Sequence, residues 1–331
     1  MNRRSVIAGL AGAAAAPFVA RGQNLAKIAR VGMLIPSAPD APVTREQFTG
    51  IRQALAELGY IEGQNIEFEA RGGDGTAETL SARASELVGV KCDVIIAIAT
   101  PAAVAAKKAT TTIPIVVGSV GDPIADGLVK SLSHPGGNIT GTTFLGPELI
   151  SKRFGLLKEL LPTASDVAVL WNQKGLPEQT TAGMVNQAAE AAKNLNLQLR
   201  YIDVPSLDAF ERAFAEVGSE HCDVVFQFPN PTFYENRKRL VDLAAQYRLP
   251  ATYNAKAFVE VGGLMGYGAD PLALNRRTAI FVDKILKGAT PATLPVEQPT
   301  QFDLAINLVT AKALEIKVPQ GLLAAADLVI D

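Results

Sequence analysis

The sequence predicts an α/β protein built from two doubly wound, Rossmann-like lobes, and three observations predict it. A strand-into-helix motif occurs twice, 130 positions apart. Cys92-Asp93-Val94 continues through 95–99 into Thr100-Pro101, and Cys222-Asp223-Val224 continues through 225–229 into Asn230-Pro231. Each apolar run suits a buried parallel strand, and each Thr-Pro or Asn-Pro pair suits the N-cap and first position of a helix. Both copies lead through helical sequence to a hydrophobic-Pro step, Ile113-Pro114 and Leu249-Pro250, and on into a further apolar run. Finally, 331 residues, 48% hydrophobic and 19% charged, exceed the size at which one core normally divides.

The elements follow in order. Asn2-Arg3-Arg4, the apolar stretch 6–16 and the small residues around Ala20-Arg21-Gly22 have the layout of a secretory signal. Cleavage near Gly22 would leave a periplasmic chain starting at Gln23; the Arg pair is compatible with either the twin-arginine or the general export route. A strand is expected over 29–35, then a helix with Thr44 as N-cap and Gln47 three residues on. Phe48, Ile51, Leu55 and Leu58 would form its apolar face and Gly59 its stop. A strand near 65–70, a Gly-rich loop, a helix over 77–88, the first motif and a strand over 113–118 complete one βαβαβ series. The stretch 135–141, with three glycines, reads as a connection between lobes. A second series follows: strand 167–171, helix 180–194, strand 198–203, helix 207–217, the second motif, strand 264–268 and helix 272–286. Pro-rich 288–295 offers another connection. The expected division is a signal segment 1–22, an N-terminal lobe of 23–140 plus 269–298, and a C-terminal lobe of 141–268 plus 299–331.

Several functions are unsupported. The net charge is −2, and losing Arg3, Arg4 and Arg21 leaves 28 basic against 33 acidic residues, so there is no basic field for nucleic acid. Past residue 22 no apolar stretch approaches the ~20 residues a membrane span requires. Two histidines, two separated cysteines and scattered carboxylates provide no metal cluster or nucleophile dyad, and no phosphate-cradling glycine motif is present. No cofactor, metal or catalytic residue is expected, and the chain is expected to be a monomer. Cys92 and Cys222 both sit where strands begin, far from a crevice formed at strand ends, so two separate buried thiols are expected. The basic run 236–239 lies on a helix whose other face is apolar and reads as a solvated surface.

Ligand-facing candidates are polar or aromatic residues at the carboxyl ends of strands, where such sheets form their crevice. Ser37, Thr100, Ser119 and Asp122 fall there in the first lobe. Trp171, Asn172, Phe228, Asn230, Tyr253 and Tyr267 fall there in the second. Helix capping is the alternative for Thr100 and Asn230, core packing for Trp171, and turn capping before Pro123 for Asp122.

Val117-Gly118-Ser119-Val120-Gly121-Asp122-Pro123, Pro135-Gly136-Gly137-Asn138-Ile139-Thr140-Gly141, Tyr267-Gly268 with Asp270, Lys284-Ile285-Leu286-Lys287-Gly288 and Leu294-Pro295-Val296-Glu297-Gln298-Pro299-Thr300 together resemble the ABC-transporter substrate-binding family, whose characterised relatives include tryptophan-binding proteins. The resemblance covers nearly the whole mature chain. It implies a type I periplasmic binding fold with a three-stranded hinge, a solute between the lobes and an ABC permease as partner. It also implies that Thr100, the loop holding Ser119 and Asp122, and the loop through Asn230 face the ligand. The chain departs from the pattern in having Asn230 where relatives that bind aromatic amino acids carry a carboxylate, and Ala255-Lys256 where they carry an acidic pair. A buried ligand ammonium without a nearby negative charge costs several kcal/mol. Lys256, if it faces the cleft, therefore favours a neutral or anionic solute, and the ligand is expected to be an amino acid or an aromatic or aliphatic carboxylate. The alternatives are a cell-envelope enzyme using a cleft carboxylate such as Asp122, and a ligand-sensing receptor not tied to transport.

Overall fold

The computed structural model describes residues 28–173 and 175–331; the expected signal segment lies outside the described residues. In chain order the first lobe is built from β1 (Ala29–Ile35), α1 (Pro42–Glu57), β2 (Ile66–Gly72), α2 (Ala77–Gly89), β3 (Val94–Ile98), α3 (Thr100–Ala109), β4 (Ile115–Val120) and β5 (Ile139–Thr143). The chain then enters a second unit: α4 (Glu148–Leu160), β6 (Asp166–Trp171), α5 (Glu178–Leu195), β7 (Gln198–Asp203), α6 (Phe210–Ser219), β8 (Val224–Gln227), α7 (Pro231–Glu235), α8 (Arg237–Gln246), β9 (Ala251–Tyr253), α9 (Lys256–Glu260) and β10 (Met265–Gly268). The last elements are α10 (Pro271–Leu286), β11 (Asp303–Asn307), α11 (Leu308–Ala313), α12 (Gln320–Ala325) and β12 (Leu328–Ile330).

Two sheets result, ordered β2-β1-β3-β4-β5 and β12-β11-β10-β9-β8-β6-β7. All pairings are parallel except β10 with β11. The uninterrupted burial of Val94–Ile98 and Val224–Gln227 is what a parallel strand covered on both faces requires. The chain passes between the sheets three times: after β5, after β10, and between residues 297 and 303. After β10, α10 returns to the first sheet, where Ala279, Phe281, Val282 and Ile285 pack against Val31, Met33 and Ile51. Glu297 then bonds β5 before β11 joins the second sheet.

Local detail corrects three expectations. Helix α1 begins at Pro42 after Ala41, which makes no side-chain cap, so the Thr44–Gln47 capping box does not form. Pro42 supplies a pre-set φ at the helix start, and Thr44 and Gln47 are carried into the buried face. Leu58, expected on the apolar face, is the C-cap residue and is exposed. Gly59 stops the helix as anticipated, with φ +92°. The stretch read as a connection contains strand β5, whose Ile139, Thr140 and Gly141 pair with Ile115, Val116 and Val117.

The second lobe's core centres on Phe154 of α4, stacked on Phe226 of β8 with ring centroids 3.9 Å apart. Truncating such a fully buried ring costs about 3–5 kcal/mol. Cys92 and Cys222 are separate, free and buried. Burial pushes the Cys92 thiol up to about 11. Both thiols are expected to resist alkylation at neutral pH until the chain is denatured, and the mass is expected to be the same with and without reductant. Loss of two protons without reductant would contradict this.

Candidate functional site

The carboxyl ends of both sheets converge on a cavity of about 930 Å³, its open mouth included. That is the size range of small-molecule sites. The first lobe contributes Ile35, Pro36 and Ser37 from the end of β1, Ile98, Ala99 and Thr100 from the turn of β3 into α3, and Ser119 from β4. Val43 and Gln47 of α1 and Asn275 of α10 close that side. The facing wall is Leu149 and Arg153 of α4, Leu176, the loop through Pro229 and Asn230, Tyr234 and Glu235 of α7, Asn254 and Tyr267.

Two backbone positions in this lining are strained. Ala99 lies at φ 66°, ψ 158°, a region almost restricted to glycine, and Ser119 lies at φ 54°. Both sit where a strand turns into the cleft, and each is held by its surroundings: Ala99 N donates to Gly118 O at 2.8 Å, and Ser119 N donates to Thr142 Oγ1 at 3.2 Å. Ala99→Gly is expected to relieve this strain and raise stability by about 1 kcal/mol, read as a higher denaturant midpoint. A lower midpoint would show that the turn is unstrained.

Of the ten residues singled out in the sequence, Ser37, Thr100, Ser119, Asn230 and Tyr267 line this cavity. Thr100 is the first helical residue rather than the cap, and its hydroxyl accepts from Gly121 N at 3.0 Å. Asn230 does cap α7, its Oδ1 accepting from Thr232 N at 2.8 Å. Ser119 Oγ donates to Asn275 Oδ1 at 3.0 Å. Asp122, Trp171, Asn172, Phe228 and Tyr253 are not in the lining. The Asp122 carboxylate accepts from Ile124 N and Ala125 N, capping its own turn. Phe228 is 1% exposed and packs edge-on to Phe226 and Tyr201; Trp171 leans on Tyr201 in the same cluster. Tyr253, also 1% exposed, stacks on Phe258 at 4.8 Å. Asn172, in the loop after β6, donates to Pro205 O beyond the end of β7.

Lys256 also lies outside the lining. Its ammonium pairs with Asp303 at 2.8 Å and Asp270 at 3.4 Å, and these partners hold its pKa up. The inference from Lys256 to ligand charge therefore does not hold. The cation in the cavity wall is Arg153, which is 2% exposed. Its Nη2 donates to Gln227 O at 2.6 Å and its guanidinium lies over the Phe226 ring at 4.2 Å. Its Nε and Nη1 have no hydrogen-bond partner among the described residues. Gln47 Oε1, Asn254 Oδ1 and Asn275 Nδ2 are likewise buried and unpartnered. The sequence did carry a signal for Arg153: it occupies the apolar stripe Ile150, Phe154, Leu157 of α4.

The lobes touch beyond the cavity. Asp126, from the loop after β4, accepts from Thr180 N at 3.2 Å and Thr180 Oγ1 at 2.6 Å on α5 of the other lobe, and Asp122 N donates back to Thr180 Oγ1 at 3.3 Å. Helix α5 has Pro177 at its N-cap and makes no cap bond of its own. The opposite lobe thus supplies its cap.

Comparison with known proteins places this geometry. A tyrosine-binding protein of Clostridioides difficile (strain R20291) is 29% identical over 269 residues, covering 81% of this chain and 76% of that protein. The crystal structure of a conserved domain protein from Vibrio cholerae O1 biovar El Tor superposes with a TM-score of 0.83 at 29% identity, covering 92% of this chain and all of that one. An ABC domain from Streptococcus pneumoniae in complex with L-Trp gives 0.82 at 28% identity, covering 91% and 99%. A ligand-free, open substrate binding protein with adhesive properties from Clostridium difficile gives only 0.61 at 26% identity, covering 88% and 96%. The profile of the ABC transporter substrate binding protein family matches residues 38–330. The chain belongs to the ABC transporter substrate binding protein family and is the solute-binding component of such a transporter.

Proposed function

We propose that this chain is the extracytoplasmic receptor of an ABC importer. It acts as a monomer whose two lobes close around one small organic solute, an amino acid or an aromatic or aliphatic carboxylate, and deliver it unaltered to a permease. The observation that carries this is the apolar-walled cavity where both sheets end, beside hydrogen bonds that tie one lobe to the other. Closure is then the readable signal: a solute that contacts both walls favours the closed form by its differential affinity. Relatives named for tyrosine binding, or crystallised with L-Trp, support a ligand with a ring. Binding without chemistry is supported by the lining itself, whose serine and threonine hydroxyls, Ser37, Thr100 and Ser119, have no histidine beside them in the cavity wall. Among the described residues no group of three potential metal ligands occurs, and no helix is long and apolar enough to cross a membrane.

Native mass spectrometry of residues 23–331, purified gently and then offered amino acids and aromatic acids, tests this. One molecule per chain, recovered chemically unchanged and accompanied by compaction in small-angle scattering, is expected. Product release with turnover would overturn it. Within the site, Asn230→Ala is expected to weaken binding and to cost about 1 kcal/mol of stability through the lost cap, measured by titration calorimetry and denaturation. Trp171→Ala is expected to leave affinity unchanged, because the indole packs outside the cavity.

A further inference from the structure

Arg153 is anomalous for a structural residue. A guanidinium with five donors is normally paired when it leaves water. Here one nitrogen bonds a main-chain carbonyl, and two nitrogens are buried without a partner. Among the described residues no carboxylate pairs with it to offset the burial, and desolvation pulls the group down to about 9. The single acid in the cavity lining, Glu235, lies at the end of the short helix α7 and is half-exposed. The rest of the wall is apolar or neutral. A buried, uncompensated cation in a closed site is strongly unfavourable, and that penalty is removed by an anion arriving with the ligand.

We propose that Arg153 is the charge-reading residue of the site and that the solute is a carboxylate with an apolar body, whose recognition does not depend on an ammonium group. This rests on the receptor reading above. The carboxylate accepts charge-assisted bonds from Arg153 Nε or Nη1, and the body lies between apolar side chains such as Ile35, Ile98 and Leu149. Gln47 Oε1 and Asn254 Oδ1 are neutral acceptors that suit a hydroxyl or amide on the body, not a full positive charge. Because α4 belongs to the second lobe and Ile35 and Ile98 to the first, a carboxylate ligand engages both lobes at once.

The test compares isosteres on the unmodified protein by titration calorimetry: 3-phenylpropanoate, 3-phenylpropanamide, L-phenylalanine and phenethylamine, with 4-methylpentanoate and its amide as the aliphatic pair. For at least one pair the acid is expected to bind roughly 10- to 100-fold tighter than its amide, the range for losing a charge-assisted bond in a buried site. The deaminated acid is expected to bind at least as well as the amino acid, and phenethylamine not to bind. Arg153→Gln is expected to erase the acid-over-amide preference, while Arg153→Lys retains part of it. If either variant fails to fold, the ratio on the unmodified protein decides alone. Equal binding of acid and amide, binding of L-phenylalanine without 3-phenylpropanoate, or silence of every acid overturns the inference. The receptor reading fails separately: it survives if gently purified protein retains any non-acidic solute at one per chain.

Discussion

Gly141→Ala is expected to destabilise the protein by at least about 4 kcal/mol, the range reserved for substitutions that force backbone apart. Gly141 sits in β5 at φ +140°, and a Cβ there would lie 2.0 Å from Val117 O and 2.6 Å from Val117 N on the neighbouring strand. Its carbonyl also accepts from Glu297 N at 2.8 Å, the bond that ties the last crossing between lobes to the first sheet. No side-chain rotation relieves such a contact, because both clashing atoms are main chain. The strand pair must separate, and with it the hinge that α10 and Glu297 complete. Gly136→Ala is the control: its φ of +71° is strained for alanine, but its neighbour is the flexible Lys130 side chain, so a loss of only about 1 kcal/mol is expected. The comparison is read from urea unfolding midpoints at constant slope. Equal losses at the two positions would show that β5 does not depend on the close approach to Val117.

That glycine was visible in the sequence, and its use was not. Three glycines within 135–141 read as a loop, whereas Gly141 is required by a parallel strand packed unusually close to its neighbour. Most strands were legible because short apolar runs bounded by turn residues leave few alternatives, and the duplicated Cys-to-Pro motif fixed where the second series mirrors the first. Strand ends then located Ser37, Thr100, Ser119, Asn230 and Tyr267 of the cavity lining, since a crevice in such sheets must form there. Side-chain direction at those ends was not legible. Phe228 follows Phe226 by two positions and turns to the same α4-covered layer, and Tyr253 turns to Phe258, so neither reaches the cleft. Much of the missed polar wall came from helices. Gln47 and Arg153 lie on apolar stripes, with Ile51 and Leu55 and with Ile150, Phe154 and Leu157, where a polar residue marks either a satisfied core group or a cavity. Only the packing of the opposite lobe distinguishes the two.

Asp126→Ala is expected to raise the Kd for the solute by roughly 5- to 30-fold, corresponding to about 1–2 kcal/mol for a lost helix cap. The size of the effect depends on which state the bond belongs to. Asp126 and Thr180 sit on opposite lobes, so both of their hydrogen bonds exist only when the lobes are closed, and α5 opens without a cap of its own. Removing them acts on closing rather than on contacts with the solute. The loss is therefore expected to appear mainly as faster dissociation, and as a more extended free protein in small-angle scattering. Charge modifies the effect. Burial raises the Asp126 pKa; the bonds from Thr180 pull it down by less, and the neighbouring Asp122 carboxylate adds to the rise. A carboxyl whose pKa is higher in the closed form than in the open one binds its proton more tightly when closed, so closing is favoured as pH falls from neutral through that raised value and gains nothing more below the ordinary carboxylate range. Affinity is thus expected to strengthen on mild acidification in the parent protein. Asp126→Asn keeps an acceptor for Thr180 without the charge, and is expected to bind at neutral pH as the parent does in mild acid, with the pH dependence flattened. A substitution to alanine that left both dissociation and pH dependence unchanged would place the closing energy elsewhere, in the cavity walls themselves.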